Sequence, residues 1–122
     1  MEFVKRTWAE ISLDAIAHNF NEIKNKIDGK AKICCVIKAD GYGHGAVELA
    51  HIYEKLGADF FAVSNIDEGV EIRNSGCTLP IVILGFTPVA EAVRPSQYNI
   101  SQAVFSPQYA KSHSKACATQ GC

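Results

Sequence analysis

The chain has 122 residues, 48% of them hydrophobic and 20% charged, with a formal net charge of -1. That composition fits one small globular domain. The near-neutral balance excludes the basic footprint of a nucleic-acid or anionic-membrane binder, and no stretch approaches the roughly 18 apolar residues of a membrane span.

Met1-Glu2-Phe3-Val4-Lys5-Arg6 has no apolar signal core behind its basic pair, so a cytoplasmic protein is expected. Thr7 to Ser12 alternates in part, with Trp8 and Ile11 apolar, and predicts a short strand exposed on one face. Leu13, Ile16, Phe20, Ile23 and Ile27 then recur at steps of three and four. They predict a helix with one apolar stripe, capped by Ser12, carrying Asp14 in its first turn and stopped at Gly29. Ile33-Cys34-Cys35-Val36-Ile37 is too short for a helix and predicts a strand buried on both faces. Lys38 closes that run, and Gly41, Gly43 and Gly45 turn the chain behind it.

A second helix is predicted from Val47, Leu49, Ala50, Tyr53 and Leu56, ended by Gly57. Phe60 to Val63 is a second buried strand, after which Ser64 is a candidate cap for a third helix ending near Gly76. Ile81 to Leu84 is a third strand, ending at Gly85. Thr87-Pro88 carries the signal of a cap followed by proline at the first helical position. Ala103-Val104-Phe105 is a short fourth strand, and Ser106-Pro107 repeats the cap signal for a last helix toward Gly121 and Cys122. Four strands, each followed by a helix, amount to four consecutive βα units of an α/β protein. Either a small open doubly wound sheet or part of a (β/α)8 barrel fits this pattern. The chain stops after a helix with no closing strand, which favours an interrupted barrel.

Five cysteines cannot all pair within one chain. Cys34 and Cys35 are expected in the buried strand as small hydrophobes. His113, Cys117 and Cys122 lack the paired short spacing of zinc sites, so no metal ligand is assigned and the thiols are expected to be reduced and structural.

Lys38 is the residue with chemical promise. In α/β folds ligands collect at the carboxyl ends of parallel strands. A buried amine there loses its proton more readily and can attack a carbonyl. The glycines allow backbone to approach a ligand closely, Tyr42 offers a hydroxyl and His44 a titratable ring. This set suits an aldehyde cofactor with a phosphate arm, which is pyridoxal 5'-phosphate. The plainer reading is a lysine that snorkels into water, a tyrosine that packs under the sheet's mouth and a histidine that only makes a hydrogen bond. The glycine spacing matches neither a dinucleotide fingerprint nor a P-loop.

Val36-Ile37-Lys38-Ala39-Asp40-Gly41-Tyr42-Gly43-His44-Gly45 resembles the cofactor-lysine motif of alanine racemases, and Arg6-Thr7-Trp8-Ala9-Glu10-Ile11 resembles the opening of the same family. The similarity runs along essentially the whole chain. It implies an α/β fold in which residues 1–122 are the N-terminal part of a (β/α)8 TIM-type barrel, incomplete at about four βα units. The rest of the barrel and a β-rich second domain, whose sheet takes in the Thr7 to Ile11 strand, are expected beyond it. The resemblance further implies a pyridoxal-phosphate-dependent homodimer that interconverts L- and D-alanine for peptidoglycan. Lys38 there carries the cofactor as an aldimine and is the base on the D-alanine side, and Tyr42 contacts the cofactor phosphate. The opposite base is a tyrosine of the partner subunit, from the later domain. The arginine facing the pyridine nitrogen and most of the phosphate cup also come from later in the chain. With those missing and strand edges open, this segment alone is expected to fold loosely and to have no racemase activity. The rivals are a related racemase acting on serine or another small amino acid, a half barrel that binds the cofactor without turnover, and an open-sheet protein with no cofactor.

Overall fold

A computed structural model describes residues 7–122. Arg6, which opens the second resembling stretch, and the five residues before it lie outside the described residues. Thr7 to Ser12 forms no strand but runs irregularly into the first helix, with Trp8 70% exposed. Its partial alternation finds no strand to pair with among the described residues, and a single extended segment gains no ladder hydrogen bonds.

Helix α1 spans Leu13–Ile27. Ser12 caps it as its spacing requires, its hydroxyl accepting from the Ala15 N–H at 3.2 Å. The helix ends one residue before the expected glycine, with Asp28 in the left-handed region at φ 51°. Phe20 turns inward and meets Tyr53 with ring centroids 5.5 Å apart.

The sheet has four strands: β1 Cys34–Val36, β2 Phe60–Val63, β3 Ile81–Ile83 and β4 Ile100–Gln102. All are parallel, in the order β1-β2-β3-β4. That order decides between the two architectures the sequence leaves open. Parallel crossovers are right-handed, so strands added in one direction place every helix on the same face, whereas a doubly wound sheet must reverse its order. The result is an arc of a (β/α)8-type barrel. Between the strands lie α2 (Ala46–Leu56), α3 (Ile66–Asn74), a 3-10 turn at Val89–Glu91 and the short α4 (Val93–Gln97), and α5 (Pro107–Gln120) comes after β4.

The register fixes which side chains face the helices. Cys35 pairs with Phe61, Phe61 with Ile81, and Ile81 with Ile100. These residues, with Val63 and Ile83, pack against Leu49, Ala50, Ile66 and Ile72 in one core. Gly69 brings α3 down onto this layer, since a Cβ there would lie 2.9 Å from the Ile100 side chain. The alternate residues, Cys34, Val36, Phe60, Ala62, Val82 and Ser101, form the opposite face.

The structure corrects four more expectations. The β1 run is buried on one face only, because β1 is an edge strand: Cys34 and Val36 are exposed, and Cys34 is not a core thiol. Asn65, not Ser64, caps α3, its Oδ1 accepting from the Glu68 N–H at 3.0 Å. Thr87-Pro88 starts only the 3-10 turn, and the Thr87 hydroxyl donates to Gln102 Oε1 instead of capping. The fourth strand lies three residues earlier than the apolar triplet. Ile100 fits under Gly69 and pairs with Ile81, leaving Val104 58% and Phe105 67% exposed past the strand end. Ser106-Pro107 does open the last helix, with the Tyr109 N–H donating to Ser106 Oγ at 3.1 Å.

Candidate active site

Lys38 stands where the sequence places it, immediately past the ladder of β1. The Ile37 N–H makes the last bond, to the Ala62 carbonyl at 3.0 Å. Ile37 is buried at 1% exposure, whereas Lys38 is half-buried and forms no ion pair among the described residues. Its amine is therefore held at the carboxyl end of a strand without being neutralised by a carboxylate.

The turn after Lys38 is not an ordinary glycine turn. Ala39, Asp40, Gly41 and Tyr42 have φ of 50°, 53°, 61° and 56°, a left-handed helical turn across Lys38–Tyr42. Only glycine enters that region freely, and each of the other three costs about 1–2 kcal/mol. Strain of that kind persists only when its surroundings fix it. Glu68 Oε1 accepts from the Ala39 N–H at 2.8 Å, and Asp40 Oδ1 accepts from the Ala46 N–H at 2.9 Å, tying the turn to the start of α2. The N–H groups of Gly43, His44 and Gly45 close back onto carbonyls of Asp40 and Gly41. Gly41 has a second reason to be glycine, since a Cβ there would lie 2.6 Å from Leu49 Cδ1.

His44 does what its plainer reading holds. Its Nδ1 lies 3.0 Å from the Gly41 carbonyl and so carries the proton that it donates there. Tyr42 is 58% exposed at the rim of the turn, beside a cleft of about 240 Å³ that it shares with Ile16, Asn19, Val36, His44 and Tyr53. This cleft is smaller than the roughly 300–1,000 Å³ of most small-molecule sites, and Lys38 does not line it. A larger cavity, about 440 Å³, lies at the opposite end of the sheet among Lys24, Lys30, Lys32 and Asp59. The strand ends, not a cavity, mark the site in this segment.

Glu68 is the candidate positioning residue that sequence patterning misses. By position it is only a first-turn acid of a helix, yet its carboxylate joins two strand ends. Oε1 takes the Ala39 N–H, and Oε2 takes the Ser64 N–H at 2.7 Å and the Ser64 hydroxyl at 3.0 Å. Ser64 in turn lies against Gly85 so closely that a Cβ would sit 2.2 Å from its carbonyl oxygen. Gln102 Nε2 donates to the Gly85 carbonyl at 2.7 Å, and the Tyr109 hydroxyl donates to the Thr87 carbonyl at 2.8 Å. The carboxyl ends of all four strands are thus linked side by side up to Lys38. The Ser64–Glu68 bonds are local, four residues apart, but those that reach Ala39 and Gly85 span 29 and 17 residues, beyond what single-residue patterning announces.

The family model for the N-terminal domain of alanine racemase matches residues 11–122. An alanine racemase of Desulfovibrio desulfuricans is 42% identical over 121 residues, which cover 99% of this chain and 33% of that relative. An alanine racemase of Clostridium difficile 630, solved in complex with cycloserine, superposes with a TM-score of 0.91 at 42% identity, covering 98% of this chain and 33% of its own. A histidine racemase from Leuconostoc mesenteroides subsp. sake superposes with a TM-score of 0.80 at 29% identity, covering 89% and 29%. The chain spans about a third of the length of the curated relatives it matches.

Proposed function

The chain belongs to the alanine racemase N-terminal domain family, and from that premise we propose that it supplies the lysine-bearing part of a pyridoxal-phosphate-dependent alanine racemase. In this reading residues 1–122 begin the barrel domain. The whole protein works as a cytoplasmic homodimer, and its product is D-alanine for peptidoglycan. The observation that carries the reading is the half-buried Lys38, without an ion pair among the described residues, at the end of β1 on a strained and anchored turn.

The residues present fit the cofactor. An amine not engaged by a carboxylate can join an aldehyde, and the Tyr42 hydroxyl on the same turn can donate to a phosphate. When bound, pyridoxal phosphate supplies a conjugated ring that delocalises the charge left by the departing α-proton. Lys38 Nζ takes and returns that proton on one face of the substrate. Glu68 and Asp40 hold the turn so that Nζ keeps its position, which matters because proton transfer needs heavy atoms within about 2.6–3.2 Å. Racemisation needs a second base on the other face, and we assign it to the partner subunit.

Reduction with borohydride after incubation with pyridoxal phosphate tests the assignment. Peptide mapping of the full-length protein is expected to find the label on Lys38. Label spread over several lysines, or absent from Lys38, overturns it. A second reading, turnover of a different amino acid, is favoured by the likeness to a histidine racemase. Rates measured across a panel of L-amino acids separate the two.

A further inference from the structure

At the end of the sheet away from Lys38, three side chains of metal-ligating type converge. His51 and Glu54 lie three residues apart on α2, a spacing that puts both on one face of a helix. Cys77 sits in the turn between α3 and β3. The His51 ring nitrogen, a Glu54 carboxylate oxygen and the Cys77 sulfur all lie within 4.8 Å of one another. His51 Nδ1 is 3.7 Å from Cys77 Sγ. Ligand atoms bound tetrahedrally at zinc distances are themselves about 3.5 Å apart. The cluster therefore has nearly the span of a coordination shell.

We propose that His51, Glu54 and Cys77 bind one zinc(II) ion, with water as the fourth ligand, and so pin α2 to the turn that enters β3. The donor set selects the metal. A thiolate with an imidazole suits zinc, whereas calcium and magnesium take oxygen ligands. Two of the three ligands are already oriented. Glu54 Oε1 accepts from the Thr78 N–H at 3.0 Å and the Thr78 hydroxyl at 2.6 Å, and Ser75 Oγ lies 3.7 Å from Cys77 Sγ. Outer partners of this kind fix ligand geometry. Cys77 is 2% exposed while His51 and Glu54 are half-buried, so the ion has an open side for its water. On binding, the Sγ–H bond breaks, an Sγ–Zn bond forms and one proton leaves to solvent.

The test uses the full-length protein and cobalt(II) as a spectroscopic substitute for zinc. One equivalent is expected to give intense tetrahedral d–d bands in the red, clear of pyridoxal absorption, and zinc is expected to displace them. Cys77→Ser and His51→Gln should each abolish the bands, and Glu54→Gln should weaken binding at least about tenfold, as loss of one of three protein ligands implies. A Cys117→Ser/Cys122→Ser double variant should keep them. Absence of stoichiometric bands in the unaltered protein overturns the proposal. So do bands that survive His51→Gln, or that vanish only with Cys117 and Cys122. His51 is half-buried on a helix, so its variant decides the matter even where Cys77→Ser fails to fold.

Discussion

Replacing Glu68 by glutamine tests whether the strand-end relay positions Lys38. The carboxylate now accepts three donors, one from Ala39 and two from Ser64. Glutamine keeps one acceptor oxygen and puts an NH2 group where the other stood. If its carbonyl stays with Ser64, the Ala39 N–H faces another donor. One hydrogen bond to a charged acceptor is worth about 1.5–3 kcal/mol, and an opposed donor adds to that loss. We expect a stability loss of about 2–3 kcal/mol, since this half-buried site lets water restore part of the bond. The turn holds strained residues at 39, 40 and 42, so releasing Ala39 lets it relax and carries Lys38 with it. A shift near 1 Å in a reacting group costs about a hundredfold in rate. Urea unfolding and racemisation kinetics of the full-length variant measure both effects, with the loss expected in kcat more than in KM. Stability within about 0.5 kcal/mol of the parent, the range of a neutral surface change, together with an unaltered kcat would refute the relay.

Gly85→Ala puts a methyl 2.2 Å from the Ser64 carbonyl oxygen, a backbone atom that cannot swing away; a loss of about 1–3 kcal/mol is expected from overpacking, read by thermal unfolding. Arg73 donates to the carbonyls of Cys77, Leu79, Tyr98 and Asn99 and so clamps the turns before β3 and β4. Lysine cannot span that fork, so Arg73→Lys should cost about 2–4 kcal/mol, since most of the four net bonds go at roughly 1 kcal/mol each; urea midpoints measure it. Burial pushes the Cys35 thiol up to about 11, with smaller contributions from Cys34 and Asp59. The folded state therefore keeps a proton that the unfolded state loses. Stability is full below the ordinary thiol pKa and falls as pH rises toward 11. Cys35→Ala should flatten that alkaline limb in denaturant midpoints measured across pH, and an unchanged limb counts against the assignment.

The fold was legible wherever one short signal was enough. Ser12 and Ser106 each cap a helix because the capping bond is made within three residues. The strands at 60–63 and 81–83 read correctly because they lie in the middle of the sheet, with a strand on either side. Patterning failed where a neighbour decides. Cys34 and Val36 are as apolar as the residues of β2, and only their place at the sheet edge exposes them. Ala103 to Phe105 makes a better strand by composition than Ile100 to Gln102, yet the sheet takes the segment whose isoleucine fits beneath Gly69.

The site divides in the same way. Lys38, Tyr42 and the glycines were visible as residue types at a strand end, and Gly43 and Gly45 do take positive φ. Hidden was the handedness of the turn, because Ala39, Asp40 and Tyr42 give no sign of adopting left-handed angles. A chain enters that region at such residues only when other groups hold it there, and here one is the Ala46 N–H six residues on and the other is Glu68, 29 residues away. The same logic covers the His51, Glu54 and Cys77 cluster, where the His-x-x-Glu spacing lies on one helix but the sulfur arrives from a turn 23 residues further on. Local sequence names the candidate groups. Their placement is a property of the packed sheet, so a change at Gly85 or Ser64, neither of which carries chemistry, is expected to move Lys38 as surely as a change in its own motif.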